Sequence, residues 1–137
     1  MTQRTVIVTG ANSGIGKETA VALASQGDRV VIACRNPDRS AAALAEIRER
    51  SGGSVESVPL DLASFASVRA AAASITDRFD RVDVLVNNAG LVLSKRAVTE
   101  DGFELLTLPA AGEPADVRFA GVRMGHDQPV APVTLSD

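Results

Sequence analysis

Three glycines, at positions 10, 14 and 16, follow directly on the β-branched run from Val6 to Thr9 and precede an amphipathic helical pattern. No other stretch limits so tightly what the chain can fold into, because it demands a strand, a tight turn and a helix in immediate succession. Glycine is needed there for two reasons. A side chain at the turn would keep the backbone from closing on a phosphate, and the helix must pack closely on its strand. The helix N-terminus then presents unpaired amides and a partial positive charge, which suits the pyrophosphate of a dinucleotide. A strand-to-helix turn without a ligand uses the same glycines, so the turn alone does not decide between the two.

For 137 residues, one domain is the natural expectation, and a 45% hydrophobic content builds a core without disulfides or metals. The 14 basic residues are scattered among 17 acidic ones, for a net charge of -3, and no basic run offers a footprint for nucleic acid. Cys34 is the only cysteine, so no intrachain disulfide can form. No apolar run reaches the length of a signal segment or a membrane span. The expected setting is a reducing cytoplasm. No metal-ligand spacing and no Ser, His and acid constellation stands out.

Along the chain, strand and helix alternate. Val6 to Val8 reads as a parallel strand covered on both faces. Ile15, Ala20, Val21, Leu23 and Ala24 recur at helical spacing as far as Gly27, which suits the left-handed stop of a helix. Arg29 to Cys34 is a second strand, and Asn36 and Pro37 form an N-cap and N1 pair for a helix to about Arg50, with Ala43, Leu44 and Ile47 inward. Gly52 and Gly53 end it before a third strand, Val55 to Leu60. Ser64 caps a helix through Phe79 with an expected stripe of Phe65, Val68, Ala72 and Ile75, and Val82 to Val86 is a fourth strand. Right-handed crossovers place these strands in the order 3-2-1-4, a Rossmann-like, doubly wound α/β sheet represented by one half. Beyond Phe103 the periodicity stops, and Pro109, Pro114, Pro129 and Pro132 follow. Only Val117 to Met124 reads as a short strand there, and Gln128 to Asp137 reads as a disordered tail. The expected division is a dinucleotide-binding half-domain over 1–104 and an irregular tail over 105–137.

Together these residues resemble the short-chain dehydrogenase/reductase family. Thr9 to Gly16 is similar to its cofactor loop, Asp61-Leu62 to its adenine contact, and Asn87-Asn88-Ala89-Gly90 to its signature after strand four. The wording around them, at Gly16 to Ala20, Ala33 to Asn36 and Thr99 to Glu104, is most similar to the retinol-dehydrogenase-like branch. The resemblance implies a hydride transfer between NADP(H) and a carbonyl or alcohol. It implies that Gly10, Gly14 and Gly16 bring amides to the pyrophosphate, that Asn12, Ser13 and Ile15 line the same turn, and that Asp61 and Leu62 meet the adenine. Asn88, Ala89 and Gly90 would border the adenosine ribose, while Asn87 would tie neighbouring strands. Arg35 stands 19 residues after Gly16, at the end of strand two. An acidic residue there would take the ribose hydroxyls of NAD, whereas arginine offers a planar fork to the 2′-phosphate of NADP, so NADP is expected over NAD. Arg39, one helical turn on, can share that role.

The resemblance also implies a catalytic tyrosine in a Tyr-x-x-x-Lys pattern, and the chain contains no tyrosine. Lys17 and Lys95 stand in the wrong places for that lysine, and Ser94, His126 and Cys34 read as loop, tail and strand residues rather than substitutes. No catalytic residue is therefore assigned. Three readings stay open: a truncated relative of the oxidoreductases, a non-catalytic dinucleotide-binding or interaction module, and a reading frame altered near Phe103. In the second, a partner covers the exposed sheet; otherwise, unless Val117 to Met124 folds back onto it, the edge of strand four is expected to drive self-association or aggregation.

Overall fold

The computed structural model describes residues 3–90 and 97–103. The chain divides into two units, Met1–Gly90 and Leu91–Asp137. The strand expected at 117–124 and the tail at 128–137 lie outside the described residues. In the second unit, residues 99–103 make a turn: the Thr99 N–H donates to the Phe103 carbonyl at 2.7 Å and the Gly102 N–H donates to the Thr99 carbonyl at 3.0 Å.

The first unit runs β1 (Thr5–Thr9), α1 (Gly14–Ser25), β2 (Arg29–Cys34), α2 (Pro37–Ser51), β3 (Val55–Pro59), α3 (Phe65–Arg78), β4 (Val84–Val86). The strands are parallel in the order β3-β2-β1-β4, with Val6 opposite Val30 and Val84, and Ile7 opposite Val31 and Leu85. The Rossmann-like half-sheet read from the strand and helix alternation is the one observed. Alternate residues of β1 and β2 feed opposite covered faces, which is why Val6 to Val8 and Val30 to Cys34 are continuously apolar, whereas the edge strand β3 carries Glu56 and Ser57. Val6, Val8, Val30, Ile32 and Val55 pack with Ala20, Ala24, Ala43 and Ile47 of α1 and α2. Ile7, Val31, Ala33 and Val58 pack with Ala71 and Phe79 on the α3 side.

Local chemistry sets the helix ends. The Asn36 side chain accepts from the Arg39 N–H and precedes Pro37, and Gly52 closes α2 in the left-handed region at φ 64°. Arg48 reaches back from α2 and donates twice to the Val55 carbonyl, at 2.9 and 2.7 Å, fixing the helix to the strand that follows. Between α1 and α2 run Lys17–Glu46 at 2.7 Å and Arg50–Glu18 at 2.7 Å. The hydrogen bond from Arg50 holds the Glu18 carboxyl below its usual range. These pairs are largely solvated and orient the helices more than they stabilise them.

Three sequence expectations shift. Ile15 is 80% exposed rather than part of the α1 stripe, because Gly16, Ala20 and Ala24 make the sheet-facing row and Ile15 is turned about 100° from it. In α3 the inward row is Ala71 with half-buried Val68 and Ile75, continued by Phe79, while Ala72 is exposed and Phe65 is 42% exposed. β4 is shorter than expected and begins at Val84, because the Asp83 carboxylate accepts the Thr5 N–H at 2.8 Å and closes the ladder there.

Candidate functional site

Because all four strands are parallel, the segments that follow them emerge along one edge of the sheet: 10–16 after β1, Arg35 after β2, Asp61 and Leu62 after β3, and Asn88 to Gly90 after β4. The arrangement therefore brings every site residue read from the sequence to the same edge.

The turn after β1 is held from two sides. The Gly10 N–H donates to the Ala33 carbonyl of β2 at 2.9 Å. Gly10 has φ +66°, and a Cβ there would stand 2.7 Å from the Ala89 Cα. At Gly16 a Cβ would stand 2.3 Å from Asn88 Nδ2 and 2.8 Å from the Gly10 oxygen. Glycine at both positions is what lets α1 and the segment after β4 close on the turn. The Asn88 carboxamide then donates to the Thr9 carbonyl at 3.0 Å and to the Gly10 carbonyl at 3.3 Å. The Thr9 hydroxyl accepts the N–H groups of Asn88 at 3.1 Å and Ala89 at 3.0 Å.

The tie expected of Asn87 is thus made by Asn88, and Asn87 is exposed. The sequence places Thr9 only as the first residue of the loop motif: its signal is a hydroxyl residue at a strand end beside a turn glycine, and its partners lie 79 and 80 positions away. Since the amides of Asn88 and Ala89 are committed to Thr9, what this segment offers a ligand is its outer surface and Gly90.

At the mouth of the turn, α1 differs from its neighbours. Ser13 is extended at φ -162° and its side chain makes no cap, whereas Asn36 and Ser64 cap α2 and α3. The first-turn amides of Gly14, Ile15 and Gly16 lie beyond the helix's own carbonyls, and no acidic residue stands in that turn. Around Gly14 nothing lies within 4 Å of where a Cβ would be. Ser13, Gly14 and Ile15 are exposed and Asn12 is half-buried. An anion placed here meets open amides and the positive end of a helix.

Arg35 is exposed beside this mouth and, among the described residues, has no ion-pair partner. Asp61 is half-buried. One of its carboxylate oxygens accepts the Ala63 N–H at 2.9 Å, and its own N–H donates to Ser67 Oγ at 2.9 Å, so the loop is fixed. Leu62 is 52% exposed and apolar, as a surface against a flat base would be. Below the turn, Cys34 is buried, and burial pushes its thiol above the usual range despite bonds with Ser40 and the amides of Ala11 and Asn12. Among the described residues no group of three or more His, Cys, Asp or Glu can hold a metal ion.

Residues 4–106 match the short chain dehydrogenase family. The chain belongs to that family. Human retinol dehydrogenase 13 is 48% identical over 103 residues, which is 74% of this chain and 31% of the relative. Human dehydrogenase/reductase SDR family member 13 is 50% identical over 104 residues, 75% of this chain and 27% of the relative. Among solved structures, menthone neomenthol reductase from Mentha piperita superposes with TM-score 0.62 at 42% identity, covering 66% of this chain and 33% of that one. L-sorbose reductase from Gluconobacter frateurii, complexed with NADPH and L-sorbose, superposes with TM-score 0.61 at 34% identity, covering 66% and 35%. The chain thus spans about a third of the length of the short-chain dehydrogenases it matches. Among the described residues no helix is long and apolar enough to cross a membrane.

Proposed function

We propose that this chain is an NADP(H)-binding unit of a short-chain oxidoreductase acting on a carbonyl/alcohol pair, and that it supplies no proton donor of its own to the reaction. One observation carries the cofactor assignment: an exposed Arg35 with no ion-pair partner among the described residues, beside an uncapped, open helix N-terminus at the same sheet edge. The residues fit the group. The amides of Gly14, Ile15 and Gly16 would take the pyrophosphate, with Gly10 shaping the turn and Asn12 and Ser13 lining it. Arg35 would take the 2′-phosphate, Asp61 and Leu62 the adenine, and Asn88, Ala89 and Gly90 the adenosine side. NADP(H), when bound, supplies the hydride chemistry. The buried, unpaired Cys34 supports a reducing cytoplasm as the setting.

Arg35→Asp tests this assignment directly. A bidentate, charge-assisted contact contributes on the order of 1.5–3 kcal/mol, so the substitution is expected to abolish the preference for NADP and turn it towards NAD in a binding titration. An unchanged NADP preference in Arg35→Asp would overturn the assignment.

We further propose self-association through β4. Among the described residues β4 pairs with β1 alone, and Val84 and Leu85 are 39% and 54% exposed, leaving an edge with free amides and carbonyls beside apolar surface. Sedimentation velocity is expected to show a concentration-dependent shift to larger species. A single monomer boundary across a hundredfold range of concentration would contradict it.

A further inference from the structure

We infer that this chain associates as a closed dimer about a two-fold axis at Leu85, because the other edge of its sheet is sealed by its own arginines. The inference rests on the β4 contact proposed above and specifies its partner, register and limit. In a parallel ladder the N–H and C=O of one residue point the same way and successive residues alternate, so each edge strand turns every second residue outward.

At β3 the outward groups are covered. The Val30 N–H donates to the Ser54 carbonyl at 2.9 Å and the Leu60 N–H donates to the Cys34 carbonyl at 3.0 Å, so Val55, Ser57 and Pro59 face away from β2. Arg48 of α2 donates to the Val55 carbonyl at 2.9 and 2.7 Å. Arg78 of α3 donates to the Ser57 carbonyl at 3.2 Å and is held there by its pair with Glu56. Pro59 has no N–H to offer. Charged side chains and a proline along an edge keep another strand from adding to it.

The edge at β4 is open. The Arg29 N–H donates to the Arg4 carbonyl at 2.8 Å and the Gly10 N–H to the Ala33 carbonyl at 2.9 Å, so Thr5, Ile7 and Thr9 are the residues of β1 that face β4. With Val6 opposite Val84 and Val8 opposite Val86, it is Val84 and Val86 that answer them, and the Thr9 hydroxyl reaches the Val86 carbonyl at 3.4 Å. Leu85 therefore turns both its N–H and its C=O outward, with a side chain 54% exposed.

A residue that presents one donor and one acceptor is its own complement. In an antiparallel pair about a two-fold axis, Leu85 exchanges two hydrogen bonds with Leu85 of a second copy, and Val84 stands opposite Val86. Since Leu85 shares a sheet face with Ile7, the two leucines meet on the α3 side. Each outer edge of the resulting eight-stranded sheet is a sealed β3, so growth stops at two copies. Head-to-tail pairing of β4 with β3 would propagate as a filament, and Arg48 and Arg78 stand in its way. The exposed parts of Val84 and Leu85 lie far below the ~1,200 Å² of a stable specific interface, so the dimer dissociates on dilution.

Sedimentation of the full chain over a range of concentration tests this. The mass is expected to rise from 14.2 kDa and level off at twice that value. Leu85→Lys sets two like charges opposite each other and should hold the chain as a monomer, with unfolding unchanged because the position is exposed. Under mild oxidation Leu85→Cys should cross-link into a covalent dimer, since residues facing each other in a hydrogen-bonded pair lie about 5.5 Å apart. Val84→Cys, displaced from its own copy by two residues, should not, and Cys34 is buried and does not compete. Arg48→Met combined with Arg78→Met should remove the plateau and give larger species. If the parent self-associates while Leu85→Lys does so equally, or Leu85→Cys fails to cross-link, the two-fold axis is refuted and self-association stands on another surface. Growth of the parent past two copies, or a plateau kept by the double variant, would refute the sealing of β3. If the mass stays at 14.2 kDa throughout, the edge is covered from within the chain, and both readings fall together.

Discussion

Replacing Gly10 by alanine is expected to destabilise the first unit by about 2–4 kcal/mol and to abolish dinucleotide binding. The added Cβ would stand 2.7 Å from the Ala89 Cα and 3.0 Å from its Cβ, so the obstacle is main chain and cannot rotate aside. Gly10 also has φ +66°, where an L side chain is strained whatever the space. Relief requires the segment after β4 to draw back. That movement breaks the bonds that the Asn88 and Ala89 N–H groups donate to the Thr9 hydroxyl and those that the Asn88 carboxamide donates to the Thr9 and Gly10 carbonyls. Gly27→Ala is the control. It too sits at positive φ, 94°, but nothing lies within 4 Å of its Cβ position, so it should cost only about 1 kcal/mol and leave binding intact. Denaturant unfolding and a cofactor titration on both variants measure the two effects. Equal losses in stability would show that the closure between Gly10 and Ala89 is not what holds the turn.

The second large effect concerns turnover. Pure chain is expected to reduce no retinoid, steroid or simple carbonyl with NADPH at a measurable rate. The resemblance assigns proton transfer to a tyrosine, and these 137 residues contain none. Losing a positioned acid or base removes a factor of roughly 100 to 10,000. Among the described residues, Cys34 is buried beneath the turn with its thiol pushed up by burial, so it offers no substitute. Sustained NADPH oxidation that depends on carbonyl substrate and survives further purification would contradict this.

Much of this architecture is legible from local chemistry. The glycine turn, the Asn36-Pro37 start and the Ser64 cap depend on neighbours a few positions away, and each appears where the residue types place it. The order of the strands follows from short right-handed crossovers. Other features depend on contrast or on distance. In α3 the run Ala70 to Ala73 is uniformly small and apolar, so periodicity alone places the inward row one residue off, at Ala72 instead of Ala71. Ile15 is apolar for a reason other than the core, since the row that packs on the sheet is built of Gly16 and alanines that permit close approach. Asn87 and Asn88 are chemically identical. Only the end of β1, brought alongside by pairing of Val8 with Val86, decides which of them finds the Thr9 and Gly10 carbonyls. Arg35 is legible as a residue type, but its lack of an ion-pair partner among the described residues emerges only once other arginines have found theirs.

The account stands on the turn, the open end of α1 and Arg35 forming one NADP(H) site. Titration of the pure chain with NADPH and with NADH, followed by nicotinamide fluorescence, tests this most directly. The account predicts saturable one-site binding of NADPH at least about threefold tighter than of NADH. Equal affinity for the two, or no saturation with either, would contradict it.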